Sequence, residues 1–556
     1  MSHADSNASC NSTAQTRRAF VAGTAAVLAA AAAASNASAA HADEQAEGGQ
    51  TDWIGAPQTV SDDQIVETRD CDVLVIGGGL SGLCALAAAA QEGVKALLIE
   101  KHSTSRYGGI FHSAIGYQDQ LDAGCELDAD ELFRDETMKS GPVCDTAHWA
   151  TWARLSGTVA DWELDIMKSH GVECAIPFAA YPEGDYDYSK EAFVTVPGSY
   201  TTGWDHFVNE GHEATKWELE ALADEACKAG AEILYNTPGC YLEQDEDGRV
   251  TGAVAEGSDG YIRINASKGV IMCTGDFAGN LDMCKALLPS SIAQAMYDCN
   301  AYCSYMYPED QPESGVRLDT GDGHRMCVWA GGAMEDNPVA TMGWPSTAEM
   351  GLIPYLGVNS IGRRFCNEAN AFMMIGRMAY DQPCAAEHGA YFWKIVDSNY
   401  AEQTKDMQAL CMFGALDSGI EMESEADVVA DSLEELAEGM GVDPEVLKAE
   451  VERYNELVEA GQDADFGKPA RYLYPIDTPP FYAKQATQLF IHTMGGVVCT
   501  RDLEVCGADG PIEGLYAAGN VVGRRFGAHY EASLPGMSNA FAMVHGYLAG
   551  KNAAAR

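Results

Sequence analysis

The stretch VLVIGGGLSGLCALAAAAQEGVKALLIEK, residues 73 to 101, constrains the fold more than any other part of the chain. Val73 to Ile76 are apolar enough for a buried strand, and Ala85 to Ala90 favour helix. Between them Gly77, Gly79 and Gly82 form a GxGxxG spacing. The first glycine permits the turn, the second lets the backbone approach a pyrophosphate, and the third allows helix and strand to pack closely. The helix amino terminus then faces the phosphate charge. A second strand, Ala96 to Ile99, ends on Glu100, whose carboxylate would accept ribose hydroxyls. Strand, helix, strand and acid in this order predict a dinucleotide site; a glycine-rich turn in an ordinary α/β protein is the alternative.

With 556 residues the chain is long enough for a large core and at least two domains. Its formal charge of −49, with no basic stripe to offset it, argues against nucleic acid and against anionic membrane surfaces. Near the amino terminus, TRRAFVAGTAAVLAAAAAA (16 to 34) sets Arg17 and Arg18 before an alanine-rich apolar run that leads to Ala40-His41-Ala42. This pattern predicts a twin-arginine export signal over residues 1–42, and with it a location in the periplasm or on the outer face of the cytoplasmic membrane. That route carries folded proteins, so a cofactor would be acquired in the cytoplasm. The run is short for a bilayer core of about 30 Å, and no later stretch supplies a transmembrane segment.

The 18 cysteines do not read as a disulfide framework. Cys71, Cys84, Cys273 and Cys366 lie beside or within apparent core motifs, which suggests buried thiols. There is no CxxCH for haem and no CxxC for a cluster or zinc, and the nearest spacing is Cys299 and Cys303, so no metal is expected.

Residues 43–65 are polar and read as a linker, after which the nucleotide unit begins at 66. From 230 to 280, short β-rich runs alternate with turns at Asp247-Gly248 and Asp259-Gly260, which predicts a β-meander returning to the nucleotide sheet. Residues 431 to 469 read as helical. Ser432 and Glu435 form a capping box, Gly441 can terminate, Asp443-Pro444 can restart, and Leu447, Val451, Tyr454 and Val458 share one face. Near the end a strand, Leu515 to Ala518, reaches Gly519 and a helix starts at about Ser538, so the chain returns to the dinucleotide domain. The amino terminus of that helix could stabilise negative charge on a reduced flavin.

Together these blocks resemble the flavoprotein family of fumarate reductase and succinate dehydrogenase, whose relatives include urocanate reductase, ketosteroid dehydrogenases and cardiac glycoside reductase. The resemblance covers about 66 to 556. Besides the fingerprint and Glu100-Lys101 it rests on Cys273-Thr274-Gly275-Asp276-Phe277, Thr320-Gly321-Asp322-Gly323 and Gly362-Arg363-Arg364-Phe365-x-Asn367-Glu368. It continues through Asp465-Phe466-Gly467-Lys468, Pro480-Phe481-Tyr482-Ala483, His492-Thr493-Met494-Gly495-Gly496 and Gly514-Leu515-Tyr516-Ala517-Ala518-Gly519. It implies an α/β fold: a Rossmann-like FAD-binding domain with a β-meander (66–336 and 491–556), interrupted by an α+β capping domain (337–490).

The resemblance also implies where FAD is held. Leu80 and Ser81 join the fingerprint glycines, Lys101, Gly108 and Gly109 follow the second strand, and Thr274, Gly275 and Asp322 come from the middle blocks. Gly519, Asn520, Ser538 and Asn539 close the site from the carboxy-terminal part. Covalent members carry a histidine where Gly109 stands, so non-covalent FAD is expected, with His112 as the alternative linkage point. Asn520 replaces the usual glutamate at the cofactor helix.

At the substrate site the chain departs from the fumarate reductases. Phe372 stands in place of their proton-donating arginine, Gly351 in place of a supporting arginine, and Tyr530, within Gly527-Ala528-His529-Tyr530, in place of the clamping arginine. Trp344-Pro345 replaces one substrate histidine, while His492 remains. A buried dicarboxylate needs cationic partners. The expected substrate is instead flat, neutral or phenolic, lined by Phe372, Trp344, Tyr355 and Tyr117, with Arg525, Arg377 and Glu531 as spare polar groups.

The implied reaction is hydride transfer from reduced flavin N5 to an activated carbon–carbon double bond, with Tyr530 as proton donor and His492 polarising the activating carbonyl. Desaturation of a ketosteroid-like ring, or electron relay without a substrate, are the alternatives. The expected partners are a small-molecule electron acceptor and a separate cytochrome or quinol-oxidising donor, in anaerobic respiration.

Overall fold

The computed structural model describes residues 52–106, 109, 111–140, 143–177, 196–202, 214–303, 319–336, 339–345, 355–369, 375–404, 426–527, 530 and 534–556. The first part of the chain runs through β1 (Ile65–Ile76), α1 (Leu80–Gln91), β2 (Ala96–Ile99), β3 (Phe111–His112), α2 (Thr146–Ser169), β4 (Cys174–Ala175), β5 (Tyr200–Thr202) and α3 (Ala214–Lys228). The meander follows as β6 (Glu232–Leu234), β7 (Gly239–Gln244), β8 (Val250–Gly257) and β9 (Gly260–Met272), then α4 (Asp322–Trp329). Next come β10 (Thr341–Pro345), β11 (Leu356–Asn359), β12 (Phe392–Asp397), β13 (Val428–Ala430), α5 (Leu433–Met440), α6 (Pro444–Ala460), β14 (Phe481–Ala486) and β15 (Gln488–Thr493). The chain closes with β16 (Glu504–Gly507), β17 (Gly510–Ala517) and α7 (Met537–Ala555).

The main sheet has the order β16-β17-β9-β1-β2-β6, and β8 and β7 extend from β9. β1 pairs in parallel with β2 and β9, and β9 with β17, so strands distant in sequence bring their carboxyl ends to one edge. Ligands of open α/β sheets bind at that edge. The apolar run from Val73 to Ile76 is buried on both faces because helices cover one side and the meander packs on the other. α1 is buried along nearly its whole length, which accounts for its alanines. The third fingerprint glycine works by close approach: a Cβ on Gly82 would lie 1.9 Å from the Gly77 carbonyl oxygen.

A second antiparallel sheet, β11-β12-β14-β13, carries α5 and α6 on one side. Ser432 caps α5 by accepting from the Glu435 amide, Gly441 ends it in the left-handed region, and Asp443 caps α6 ahead of Pro444. Leu447, Val451 and Tyr454 are buried as the periodicity predicts. A two-stranded ribbon, β10-β15, runs between the two sheets in sequence and ends at the main sheet.

Residues 52–64, read as part of a linker, are docked on the main sheet. The Ile54 carbonyl accepts from Trp329 Nε1 at 3.0 Å, and Asp62 pairs with Arg263 at 2.9 Å. The polar sequence conceals this because the anchors are charges and one aromatic ring, Trp53, packed on a cluster that includes Met296. The described cysteines are free, and most are buried. Among the described residues no helix is long and apolar enough to cross a membrane.

Candidate active site

At the strand ends, Gly79 caps α1 without any side-chain hydrogen bond, so the amides of Leu80, Ser81 and Gly82 in the first turn lack a side-chain acceptor. A pyrophosphate is the natural partner for such a helix start. Glu100 is buried beside it. Its Oε2 accepts from the Gly78 amide at 2.6 Å and its Oε1 from the His102 amide at 2.8 Å, leaving each oxygen a lone pair for ribose hydroxyls. Burial raises its pKa, against these two amides. Lys101 reaches Thr320 Oγ1 at 2.8 Å and Asp322 at 3.1 Å, tying the end of β2 to the start of α4. Burial works against the Asp322 charge, but Lys101 and its hydrogen bonds hold it down to about 2.

The rest of the cradle comes from three other parts of the chain. Thr274 Oγ1 is buried with no hydrogen-bond partner, next to Gly275. Asn520 Oδ1 accepts from Ser538 Oγ at 3.0 Å, and Asn539 Nδ2 donates to the Phe111 carbonyl at 3.1 Å. Gly109 lies against Asn539, since a Cβ there would stand 2.8 Å from Nδ2. An uncapped helix start, an acceptor-rich Glu100 and an orphaned hydroxyl fit a bound dinucleotide. Gly109 offers no nucleophile, and His112 turns its ring into a buried carboxylate pair, with Nε2 3.4 Å from Glu218 and Nδ1 4.0 Å from Glu163. The alternative linkage point is therefore occupied elsewhere. Acid precipitation should release the yellow chromophore into the supernatant, and colour left in the pellet would contradict non-covalent binding.

His492 stands at the end of β15, opposite Met342 of β10. Its Nδ1 lies 2.7 Å from Asp276 Oδ2, while the side chain stays 19 % exposed. Asp276 is buried and held by the Ala278 amide at 2.7 Å and Thr493 Oγ1 at 3.1 Å. Burial would lower the imidazole pKa, but Asp276 and then Asp319 outweigh it and raise it. With Nδ1 engaged, Nε2 is the nitrogen left to donate outward. Asp276 was legible only as part of the Cys273–Phe277 motif; its role appears when the chain folds it under a histidine 216 positions away.

Arg525 is fully buried. Its Nε donates to the Val522 carbonyl at 2.8 Å, its guanidinium lies 5.4 Å over the Phe526 ring, and Nη1 has no hydrogen-bond partner. Burial lowers its pKa to about 10, although Glu335, Asp276 and Tyr530 favour the charge. The fold thus sets Arg525 in the electrostatic field of both His492's partner and Tyr530. Tyr530 packs on Phe526 with centroids 5.1 Å apart, its amide donates to the Thr341 carbonyl at 3.2 Å, and its hydroxyl accepts from the Ser538 amide at 3.4 Å. Met494, absent from the predicted site, joins these parts: its sulfur is 3.9 Å from Arg525 and 4.0 Å from Ser538 Oγ.

Two aromatic residues expected at the substrate lie elsewhere. Tyr117 gives its hydroxyl to the Gly198 carbonyl at 2.7 Å and packs on Tyr200 in the core under α2. Tyr355 belongs to the second sheet, stacked on Phe392 with Lys394 over its ring. Both rings are buried and packed on other aromatic rings, a context their sequence neighbours do not reveal. Arg377 pairs with Asp381 at 3.2 Å. Trp344 is described by its backbone, opposite Leu489. Gly108, Phe372, Gly351, His529, Glu531 and the segment 1–42 lie outside the described residues.

The sheet edge, uncapped helix and buried ribose acceptor define a dinucleotide-binding protein. Residues 72–536 match the FAD binding domain family, and the chain belongs to it, in the fumarate reductase and succinate dehydrogenase class of flavoproteins. Its cofactor is FAD, and it acts on CH–CH groups. A vinyl phenol reductase of Lactiplantibacillus plantarum is 27% identical over 521 residues, spanning 87% of this chain and 96% of its own length. A digoxin reductase of Eggerthella lenta is 28% identical and covers 87% of each chain. Among solved structures, 3-ketosteroid-Δ4-(5α)-dehydrogenase from Rhodococcus jostii shares the fold, with a TM-score of 0.66 and 21% identity over 89% of this chain and 99% of that one.

Proposed function

We propose that the protein is an exported reductase of an activated carbon–carbon double bond in a neutral or phenolic enone, enoate or lactone, working in anaerobic respiration. The observation that carries this reading is the His492–Asp276 pair at 2.7 Å: it supplies a hydrogen-bond donor suited to one carbonyl or phenol oxygen. The neighbouring cation, Arg525, is fixed through Nε by the Val522 carbonyl and by the Phe526 ring, with Nη1 left over. The positions at which the family resemblance calls for a proton-donating, a supporting and a clamping arginine hold Phe372, Gly351 and Tyr530. The relatives named for a vinyl phenol and for digoxin support an acceptor of this kind.

Bound FAD, once reduced, supplies the hydride. His492 donates from Nε2 to the oxygen conjugated with the double bond and draws electron density toward it. The Tyr530 hydroxyl delivers the proton to the other carbon, and the Ser538 amide at the start of α7 stabilises the oxygen left behind. Electrons come from a separate cytochrome or quinol-oxidising protein, because the sequence holds no haem or cluster motif. The net charge of −49 favours a basic donor, with a rate that falls as salt rises.

The test is rapid mixing of photoreduced enzyme with a vinyl phenol, an enone, an unsaturated lactone and fumarate. At least one of the first three should reoxidise the flavin rapidly and fumarate should not; rapid reoxidation by fumarate, or by none of the four, overturns the reading. Efficient turnover with NADH and no protein donor would remove the proposed partner. A finer check concerns pH. Asp276 keeps His492 protonated to higher pH, so the donor is present below its raised pKa and lost as pH rises through it. Asp276→Asn should move the alkaline limb of kcat/KM to lower pH and slow turnover at neutral pH by about tenfold. An unmoved limb would remove this role for Asp276.

A further inference from the structure

Away from the flavin site, His112 of β3, Glu163 of α2 and Glu218 of α3 meet in the core with none of their side-chain surface exposed. Their ligand atoms all lie within 4.8 Å of one another. Ligand atoms about 2.1 Å from one ion stand roughly 3.0–3.6 Å apart, so the three side chains would draw together by about an ångström to share it. We propose that these three residues hold a divalent first-row transition metal, manganese or zinc. The cysteine pattern had pointed to no metal, and the site uses none of the cysteines.

Three observations carry the assignment. The donor set pairs one imidazole with two carboxylates, the mixture that suits Mn2+ or Zn2+ more than Mg2+ or Ca2+. Each carboxylate is oriented by a hydroxyl: Tyr200 donates to Glu163 Oε2 at 2.5 Å, and Thr202 donates to Glu218 Oε2 at 2.5 Å. Hydrogen bonds of this kind orient metal-ligating carboxylates. Finally, Glu163 Oε1 is fully buried without a hydrogen-bond partner, and among the described residues the only ion-pair partner of Glu163 is His112. A divalent cation would balance the two carboxylates once it had displaced the proton from the imidazole. The ion would join β3 to α2 and α3. Because the Phe111 carbonyl, one residue earlier, accepts from Asn539 of α7, it would also brace the floor of the FAD pocket.

The test is metal analysis of FAD-loaded protein produced in defined medium with added Mn2+ or Zn2+, beside the Glu163→Gln and Asp276→Asn variants. About one equivalent per flavin is expected in the wild type and in Asp276→Asn, with loss in Glu163→Gln. The Mn2+ form should show nitrogen coupling from one histidine in electron–nuclear double resonance. Metal-free wild type with full FAD overturns the proposal, as does metal kept in Glu163→Gln. Metal lost in Asp276→Asn overturns it too, by moving the ion to the second cluster, formed by Asp276, Asp319 and His492. Should Glu163→Gln fail to fold, the wild-type stoichiometry and the nitrogen coupling still decide.

Discussion

Tyr530→Phe is expected to slow acceptor reduction by about 100-fold or more, about 2.7 kcal/mol in the barrier, with FAD content unchanged. The side chain is buried and well placed for such a clean deletion. Its amide bond to Thr341 and its packing on Phe526 do not involve the hydroxyl, so phenylalanine keeps both. What is lost is the oxygen beside the Ser538 amide, at the start of α7 and in the field of Arg525. A variant that keeps full activity would remove Tyr530 as the acid and leave His492 as the remaining candidate. The measurement is single-turnover reoxidation of reduced enzyme, which separates the proton-coupled step from electron delivery.

The largest stability effect is expected at Glu368. Its Oε1 accepts from Arg364 Nε at 3.0 Å and the Gly357 amide at 3.0 Å, and its Oε2 lies 2.9 Å from Arg364 Nη2 and 3.3 Å from Lys468. Glu368→Ala leaves two buried cations sharing only Asp463 and neutral oxygens, at a cost of about 3–5 kcal/mol. Thermal or urea unfolding should show it, and an unshifted midpoint would contradict it. The pH dependence follows from the same network. Burial works against the carboxylates, but Lys468 and Arg364 hold Glu368 below its usual range, and Arg364 does the same for Asp463. Their contribution is therefore complete above the unfolded carboxylate values of about 4 and is lost as pH falls through the lower folded values. Lys468 is raised despite burial, so its share is present below about 10.4 and lost as pH climbs through its folded value.

The nucleotide half of the molecule was legible because its signals are local. The fingerprint, β2, the meander and the caps of α5 and α6 each depend on residues a few positions apart, and the strand ends at Ala96 and Ile99 fall where the sequence places them. The chemistry was less legible because it is assembled across the chain. Asp276 meets His492, and Met494 meets Arg525 and Ser538, through side-chain contacts that no short window contains. Tyr117 and Tyr355 show the complementary case: in sequence an aromatic ring with a polar tip suits a substrate pocket and a packed core equally well, and the fold sets these two against the Gly198 carbonyl and the Phe392 ring. The triad of His112, Glu163 and Glu218 comes from three separate elements and carries no spacing signature.

The helix that presents the fingerprint, α1, is seated against α7, where a Cβ on Gly546 would lie 2.2 Å from the Ser81 carbonyl oxygen. β17, just upstream, flanks β9 in the same sheet. An emerging polypeptide that has reached only the meander therefore has α3 to pack behind the glycine turn but lacks α7. The cradle that Ser538 and Asn539 close is complete only when the helix of residues 537 to 555 has joined it. The pocket is thus a joint product of the two ends of the chain: the first turn that would face the phosphates and the last helix that seats it are more than 450 residues apart.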